Sequence, residues 1–307
     1  MVDLSVEIAG IEMKNPVMSA SGCFGYGREY ASFLNLEELG ALVVKGTTLE
    51  PREGNIPPRI CETPAGILNS VGLQNPGIEY VIQQEIPYLK DKDVPLIINI
   101  AANLEEEYIK LARALDSLEE VQGLEVNISC PNVKKGGMAF GTHVESAYRL
   151  VKALRSVTTK PLIVKLSPNV TDIVEIALAV EEAGADALSL INTLLGMAID
   201  IKQRKPVLGN ILGGLSGPAV KPVALRMVWQ VSEKVQVPVI GMGGIMTAED
   251  ALEFIMAGAA GVAVGTANFV DPRAICEIVK GMEEYLQDNN ISNIKQIKGA
   301  ARKEWDL

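Results

Sequence analysis

The chain has 307 residues, of which 48% are hydrophobic and 21% charged, and its formal net charge at pH 7 is −10. This composition is typical of a globular protein with a full core, and the acidic balance argues against nucleic acid as a partner, because a phosphate backbone attracts clustered Lys and Arg. No apolar run is long enough to span a membrane, and the N-terminal MVDLSVEIAGIEMKN lacks the basic and apolar segments of a signal peptide, so we expect a cytoplasmic protein.

Short apolar, β-branched segments alternate along the chain with amphipathic segments. The predicted strands cover 16–21, 41–48, 95–101, 124–130, 161–167, 187–193, 237–244 and 261–267. Helical patterns cover 105–118, 144–157, 171–183, 219–234, 248–257 and 272–286. Strands that are apolar on both faces and alternate with helices indicate a parallel sheet covered by helices. Eight such units favour a closed (β/α)8 TIM barrel over an open sheet, and we expect residues 1–307 to form one domain.

Three segments depart from this repetition. Residues 2–17 have the pattern of a β-hairpin and are predicted to close the floor of the barrel. Residues 49–76 and 194–218 are long insertions after strands 2 and 6, and neither is short enough for a simple strand-to-helix loop. Both insertions follow the carboxyl end of a strand, which is where the active sites of this fold are built.

Polar side chains lie at or just beyond the carboxyl ends of the predicted strands, in a fold whose interior is normally filled by Val, Ile and Leu. They are Ser21, Lys45, Asn99, Asn127, Cys130, Lys165, Asn192 and Thr193. Each residue alone has a structural explanation, since a buried amide often satisfies the backbone and a lysine often reaches solvent. Two lysines and three asparagines at equivalent positions of different strands together indicate a binding or catalytic site.

Glycines follow the last two predicted strands, at Gly243, Gly244 and Gly265, with Thr266 next to the third. The loops after strands 7 and 8 form the usual phosphate site of such barrels, and glycine lets the backbone approach the phosphate oxygens. Tight turns are the alternative explanation. The GxGxxG spacing of a dinucleotide fold is missing, so the pattern favours a mononucleotide-type phosphate over NAD bound in the usual way.

Thiols and imidazoles are too few and too scattered to predict a metal site. The four cysteines are Cys23, Cys61, Cys130 and Cys276, none of them lies in a CxxC motif, and His143 is the single histidine. An iron–sulfur cluster needs about four thiolates gathered together. We therefore expect no metal or cluster on this chain.

Several motifs at fitting spacing give a more specific indication. They are SASG at 19–22, KGTT at 45–48, NSVGLQNP at 69–76, NISCPN at 127–132, INT at 191–193 and GLSGP at 214–218. With these motifs and the phosphate glycines, essentially the whole chain resembles the dihydroorotate dehydrogenase family. Cys130, where other members have Ser, resembles the soluble class 1 enzymes, and KKGGMAFGT at 134–142 resembles subclass 1B.

The resemblance implies oxidation of dihydroorotate to orotate in pyrimidine biosynthesis, with one FMN per chain. It assigns the role of catalytic base to Cys130, and it places Lys165 at the flavin edge where negative charge grows. The FMN-binding residues it implies are Ser21, Lys45, Gly46, Asn99, Asn127, Lys165, Ile191, Gly217, Gly243, Gly244, Gly265 and Thr266. The substrate-binding residues it implies are Lys45, Asn69, Ser70, Val71, Gly72, Leu73, Asn127, Asn132, Asn192 and Thr193.

These roles agree with elementary chemistry. A free thiol has a pKa of about 8.5, so Cys130 is close to the range of a base at neutral pH. A carboxamide offers both donors and acceptors, which suits a flat substrate with alternating amide groups. Subclass 1B further implies a homodimeric core joined to a second subunit in a heterotetramer. That partner is expected to carry FAD and a [2Fe–2S] cluster and to pass electrons to NAD.

Three alternatives remain at this level. The first is a fumarate-linked class 1A enzyme that needs no partner subunit. The second is a flavin-free aldolase or isomerase acting on a sugar phosphate, in which Lys165 forms a Schiff base. The third is a barrel that only binds a nucleotide phosphate. A yellow, flavin-containing preparation would exclude both flavin-free alternatives.

Overall fold

The computed structural model describes residues 2–129 and 140–302. Eight parallel strands form its main sheet, and we name them barrel strands 1 to 8 in chain order. They are Val17–Ser19, Leu42–Val43, Leu96–Ile100, Gly123–Asn127, Leu162–Lys165, Ala187–Leu190, Val239–Met242 and Gly261–Val264. Barrel strand 8 pairs with strand 1, and a parallel bridge joins Met18 to Ala41, just before strand 2. The sheet therefore closes on itself, which confirms the predicted (β/α)8 TIM barrel.

The barrel strands end earlier than predicted. Strand 6, for example, ends at Leu190, so that Asn192 and Thr193 follow it instead of belonging to it. Lys45 likewise follows strand 2, which ends at Val43. These polar residues therefore lie in the loops at the carboxyl end of the barrel, where the backbone N–H of Asn192 still donates to the carbonyl of Leu166 at 3.1 Å.

The six predicted helices are all present. Their bounds are Glu105–Asp116, Val144–Arg155, Ile173–Glu182, Lys221–Lys234, Ala248–Met256 and Ala274–Asp288. Local signals explain where some begin: the Asp172 side chain accepts a hydrogen bond from the backbone N–H of Val174, and Thr247 forms a capping box with Asp250. Residues 78–89 are also helical, which the sequence did not predict; the segments are Ile78–Tyr80, a π-helical turn Val81–Glu85, and Ile86–Leu89. The short helix Ala267–Val270 and the 3-10 turns Leu36–Glu38, Phe140–Thr142, Pro218–Val220, Ile294–Gln296 and Ala300–Arg302 complete the described helical elements.

The N-terminal hairpin closes the amino end of the barrel, as predicted. Its strands, Val6–Ile8 and Ile11–Met13, pair antiparallel, and Ile8 and Ile11 are buried. A Cβ atom on Gly261 would lie 2.7 Å from Cδ1 of Ile8, and one on Gly123 would lie 2.9 Å from Cδ1 of Ile11. Because these glycines begin barrel strands 8 and 4, the hairpin side chains fill the space that larger residues would occupy at the floor.

The two long insertions build a second sheet over the carboxyl end of the barrel. Its strands, in sheet order, are Leu194–Met197, Leu212–Ser216, Gly66–Asn69 and Ile60–Thr63, and we call it the rim sheet. The strands Ile199–Asp200 and Lys205–Pro206 form a small tip hairpin beside it. The sequence indicated loops here. Antiparallel pairing of Gly214 with Asn69 joins the two insertions, and neither insertion reveals that partner by its own pattern.

One connected cluster of buried apolar side chains runs from Leu4 to Ile297. It includes the barrel interior, the layer between strands and helices, and the floor hairpin. A shared core of this kind is typical of one folded unit, and the single domain over residues 1–307 stays a prediction. Among the described helices, none is both long enough and apolar enough to cross a membrane.

Candidate active site

A cavity of about 1480 Å³, counting its open mouth, lies at the carboxyl end of the barrel beneath the rim sheet. All described residues predicted to bind cofactor or substrate line this one cavity. They are Ser21, Lys45, Gly46, Asn69, Ser70, Val71, Gly72, Leu73, Asn99, Asn127, Lys165, Ile191, Asn192, Thr193, Gly217, Gly243, Gly244, Gly265 and Thr266. The predicted base Cys130 and the substrate residue Asn132 lie outside the described residues.

Lys165 brings a buried cation to the end of barrel strand 5. Its side chain is 8% exposed, and its Nζ donates to Oγ of Ser21 at 3.2 Å. The same Nζ lies 3.9 Å from Oε2 of Glu125. The backbone carbonyl of Lys165 accepts a hydrogen bond of 2.6 Å from Oγ of Ser129. Contacts with Ser21, Glu125 and Ser129 thus fix Lys165 at the wall of the cavity.

Glu125 is a buried acid that the sequence analysis missed. It lies inside barrel strand 4, where its Oε2 accepts from Nδ2 of Asn99 at 2.6 Å and its Oε1 accepts from Oγ of Ser189 at 2.8 Å. It lies near the start of the predicted strand 124–130, away from the carboxyl ends where the predicted site residues lie. A charged residue in an otherwise apolar strand was the available signal, because buried charges are rare unless they are paired.

Asn99 presents a buried acceptor that has no hydrogen-bond partner among residues 2–129 and 140–302. Its Nδ2 is occupied by Glu125, while its Oδ1 is buried without a hydrogen bond. A Cβ atom on Gly46 would lie 3.0 Å from this oxygen. Because buried polar atoms are nearly always paired, the oxygen fits an N–H donor supplied by a bound molecule.

Lys45 and Cys23 face the same cavity from the loops after barrel strands 2 and 1. Burial lowers the pKa of the Lys45 ammonium, and the nearby carboxylate of Glu29 partly opposes this shift. Burial raises the pKa of the Cys23 thiol, against the opposite influence of Lys165 and Lys45. Cys23 therefore stays a neutral thiol at physiological pH, and the cavity keeps an excess of basic over acidic side chains on this side.

Amide groups at the cavity and next to it are held in place by hydrogen bonds to the rim sheet and to the residue before it. Asn69 donates to the carbonyl of Gly214 at 3.4 Å, across two strands of the rim sheet. Asn169, which sequence reasoning did not select, donates to the carbonyl of Thr193 at 3.0 Å and accepts from the backbone N–H of Leu195 at 2.9 Å. It connects the loop after barrel strand 5 to the start of the rim sheet, and so fixes the backbone of Thr193.

Glycines surround one end of the cavity. Gly217, Gly243 and Gly244 adopt positive φ angles of 97°, 122° and 78°, which L side chains rarely adopt. A Cβ atom on Gly243 would lie 2.9 Å from Cβ of Ala224. Thr266 donates from Oγ1 to Oγ of Ser216 at 2.9 Å, which ties the loop after barrel strand 8 to the rim sheet. This end offers backbone groups and a hydroxyl to a ligand, as a phosphate site requires.

No group of three or more His, Cys, Asp or Glu side chains suited to a metal ion occurs within residues 2–129 and 140–302. The ionisable groups at the cavity are instead Lys45, Lys165, Cys23 and the buried Glu125. The described part of the site is therefore built for recognition by charge, by amide hydrogen bonds and by close backbone approach.

Comparison with known proteins identifies relatives along nearly the whole chain. The family model described as dihydroorotate dehydrogenase matches residues 3–286. The protein named dihydroorotate dehydrogenase B (NAD(+)), catalytic subunit, from Geotalea uraniireducens (strain Rf4) is 61% identical over 298 residues, which cover 97% of this chain and 98% of that protein.

Two further relatives carry the same name. The protein from Desulforamulus reducens is 61% identical over 300 residues, covering 98% of this chain and 99% of its own length. The protein from Geobacter sulfurreducens is 59% identical over 298 residues, covering 97% of this chain and 98% of its own length. With this identity, and with a family model that matches most of its length, the chain belongs to the dihydroorotate dehydrogenase family.

Proposed function

We propose that this chain oxidises dihydroorotate to orotate as the catalytic subunit of an NAD-linked dihydroorotate dehydrogenase. The reaction removes a proton from C5 and a hydride from C6 of the substrate. The observation that carries the proposal is the convergence of Lys45, Lys165, several carboxamides and a glycine-lined end on one cavity. Such a set suits an anionic heterocycle next to a phosphate-bearing cofactor.

The cavity fits FMN as that cofactor. Oδ1 of Asn99 has no hydrogen-bond partner among the described residues and can accept from the N–H of a flavin ring. The glycines at 217, 243, 244 and 265 leave room for a phosphate. The residues proposed to hold FMN are Ser21, Lys45, Gly46, Asn99, Asn127, Lys165, Ile191, Gly217, Gly243, Gly244, Gly265 and Thr266. When bound there, FMN accepts the hydride that leaves the substrate.

The side chains of this chain supply the remaining chemistry. Cys130 takes the proton from C5 as general base. Lys165 supplies a fixed positive charge close to where negative charge develops during the reaction. Lys45 neutralises the carboxylate of the substrate. Asn69, Asn127, Asn132, Asn192 and Thr193, with the backbone of residues 70–73, pair with its amide edges and hold it in register with the base.

Two observations support the proposal for the final electron acceptor: the names of the relatives, and the lack of a dinucleotide-binding motif in this sequence. The relatives are named NAD(+)-linked catalytic subunits, yet this sequence has no GxGxxG fingerprint for NAD. We therefore assign NAD reduction to a partner subunit that carries FAD and a [2Fe–2S] cluster. Exposed apolar residues on the rim sheet and tip hairpin, among them Met197, Ile199 and Ile201, support a protein interface. A homodimeric core and a cytoplasmic location remain predictions.

Acceptor specificity tests this function. The isolated chain should be purified with bound flavin, reduce artificial dyes with dihydroorotate and produce no NADH. Co-expression with its partner subunit should add NADH formation. Brisk NADH formation by the isolated chain would contradict the two-subunit scheme, and rapid turnover with fumarate would identify a class 1A enzyme. A flavin-free preparation without dihydroorotate oxidation would favour the aldolase or isomerase alternative.

A further inference from the structure

The acid Glu125 lies directly behind the cavity wall, in the interior of the barrel. The residue is 3% exposed, and it contacts side chains from three other barrel strands: Asn99, Ser189 and Lys165. A buried carboxylate is costly unless hydrogen bonds and an opposite charge compensate it. Glu125 has both, and two of its three partners, Asn99 and Lys165, line the cavity.

The first consequence concerns the orientation of Asn99. A carboxylate only accepts hydrogen bonds, so the 2.6 Å contact from Asn99 to Oε2 of Glu125 must involve the amide NH2 group. The amide oxygen is then held on the other branch of the side chain, where it is buried and has no hydrogen-bond partner in the part of the chain that the structure describes. Glu125 thus determines that Asn99 offers an acceptor, and not a donor, to a molecule in the cavity.

Glu125 also offsets the positive charge that Lys165 presents to the cavity. Nζ of Lys165 lies 3.9 Å from Oε2 of Glu125, and both side chains are less than 10% exposed, at 8% and 4%. At this distance and burial a carboxylate offsets much of the positive potential that the ammonium projects into the cavity. Removal of the carboxylate charge would leave Lys165 uncompensated.

We propose that Glu125 is a positioning residue for the flavin. It orients Asn99 toward the bound FMN, and its negative charge offsets part of the positive charge of Lys165. This charge keeps the reduction potential of the flavin low. This inference rests on the proposed function, in which FMN occupies the cavity. The two fail differently, because a wild-type chain that holds no flavin contradicts the proposed function, whereas the inference is judged on the variants of a flavin-containing protein.

The variant Glu125→Gln separates charge from shape. Its amide oxygen can still accept from Asn99, and its NH2 group can donate to Ser189, whose hydroxyl both donates and accepts. The carboxylate charge is lost, so reduction of the bound FMN becomes more favourable. We expect the equilibrium constant for reduction to rise on the order of tenfold, or about 30 mV for a two-electron couple, measured by equilibration with a dye of known potential. A wild-type potential would overturn the electrostatic part of the proposal.

Two control variants test whether the change in reduction potential is due to the carboxylate of Glu125. Glu106→Gln removes a negative charge from an exposed position on the helix Glu105–Asp116 and should leave the potential unchanged. Ser189→Ala removes one hydrogen bond to Glu125 but no charge, and it too should keep the wild-type potential. A shift in Ser189→Ala as large as that in Glu125→Gln would show that packing, and not charge, sets the potential, and would overturn the proposal.

The orienting role is tested through FMN affinity. Glu125→Leu removes the acceptor that fixes Asn99, so we expect FMN to bind at least about tenfold more weakly than in wild type, while Glu125→Gln binds it nearly as well. A leucine variant with wild-type affinity would overturn this role. If the glutamine variant does not fold, Glu125→Asp keeps the charge on a shorter side chain. It should weaken FMN binding without raising the potential, and a raised potential in it would contradict the proposal.

Discussion

The hydroxyl of Ser129 donates a 2.6 Å hydrogen bond to the backbone carbonyl of Lys165. It joins the ends of barrel strands 4 and 5, and Ser129 is the residue immediately before Cys130 in the chain. The two residues to which we assign chemistry, Cys130 and Lys165, are therefore linked through one buried contact. We therefore expect catalysis by Cys130 to depend on Ser129, a residue that does not itself react.

Ser129→Ala should lower the rate of flavin reduction by dihydroorotate by roughly tenfold, because a small displacement of a base is costly to the rate. FMN content should be unchanged. Stopped-flow reduction in a single turnover measures the rate. Ser156→Ala is the matched control, since Ser156 also bonds a backbone carbonyl, that of Ala153, but on an exposed helix end. Equal rates in the two variants would show that the contact does not position the base.

Cys130→Ala should bind FMN and orotate normally but lose the rate of flavin reduction by about 100-fold or more, which is the usual contribution of a general base. Cys130→Ser should recover part of the rate at high pH, because a hydroxyl is a much weaker acid than a thiol. Single-turnover rates across a pH series test both expectations. Unchanged reduction by the alanine variant would remove Cys130 from the mechanism.

Lys165→Ala should lower the reduction potential of the bound FMN and slow hydride transfer, because a buried positive charge disappears from the cavity wall. The expected shift is opposite in sign to that of Glu125→Gln. Dye equilibration gives the potential, and stopped-flow reduction gives the rate. A wild-type potential would show that Lys165 contributes through packing of its aliphatic stem instead of its charge.

Gly244→Ala should weaken FMN binding by at least about tenfold. Gly244 has a φ of 78°, and a Cβ atom there would lie 2.7 Å from the backbone N of Lys221, so the loop must move. Gly10→Ala is the matched control, because Gly10 has a nearly equal φ of 76° but no atom within 4 Å of the added Cβ. Both variants should lose some stability to thermal unfolding, but only the first should lose FMN affinity. Equal FMN affinities would contradict the phosphate site.

Ile201→Glu should disrupt assembly of the chain with other subunits. Ile201, beside the tip hairpin, is 84% exposed, and a charge there would be unfavourable if the surface is buried in an assembly. Light scattering should show a smaller mass for the variant than for wild type. Leu178→Glu, at a partly exposed position on the helix Ile173–Glu182, should leave the mass unchanged. A variant with the wild-type mass would place the interface elsewhere.

Local sequence patterns were sufficient to predict the barrel fold and the residues that line its cavity. Strands apolar on both faces, alternating with helical patterns, predicted the barrel, because these periods directly reflect burial. The sequence motifs selected the cavity residues, since in a parallel barrel the carboxyl ends of all strands meet at one face. Lys45, Asn99 and Lys165 were therefore placed together although they are far apart in the chain.

Only the tertiary structure determined those features that depend on contacts between residues far apart in the chain. Glu125 is an isolated acid in the sequence, and its role follows only from contacts with Asn99, Lys165 and Ser189 on three other strands. The rim sheet likewise depends on pairing between Asn69 and Gly214, which belong to different insertions. Local patterns record whether a residue is buried, but the identity of its hydrogen-bond partner is set by the closed sheet, which brings strands together in an order and register that no single segment encodes.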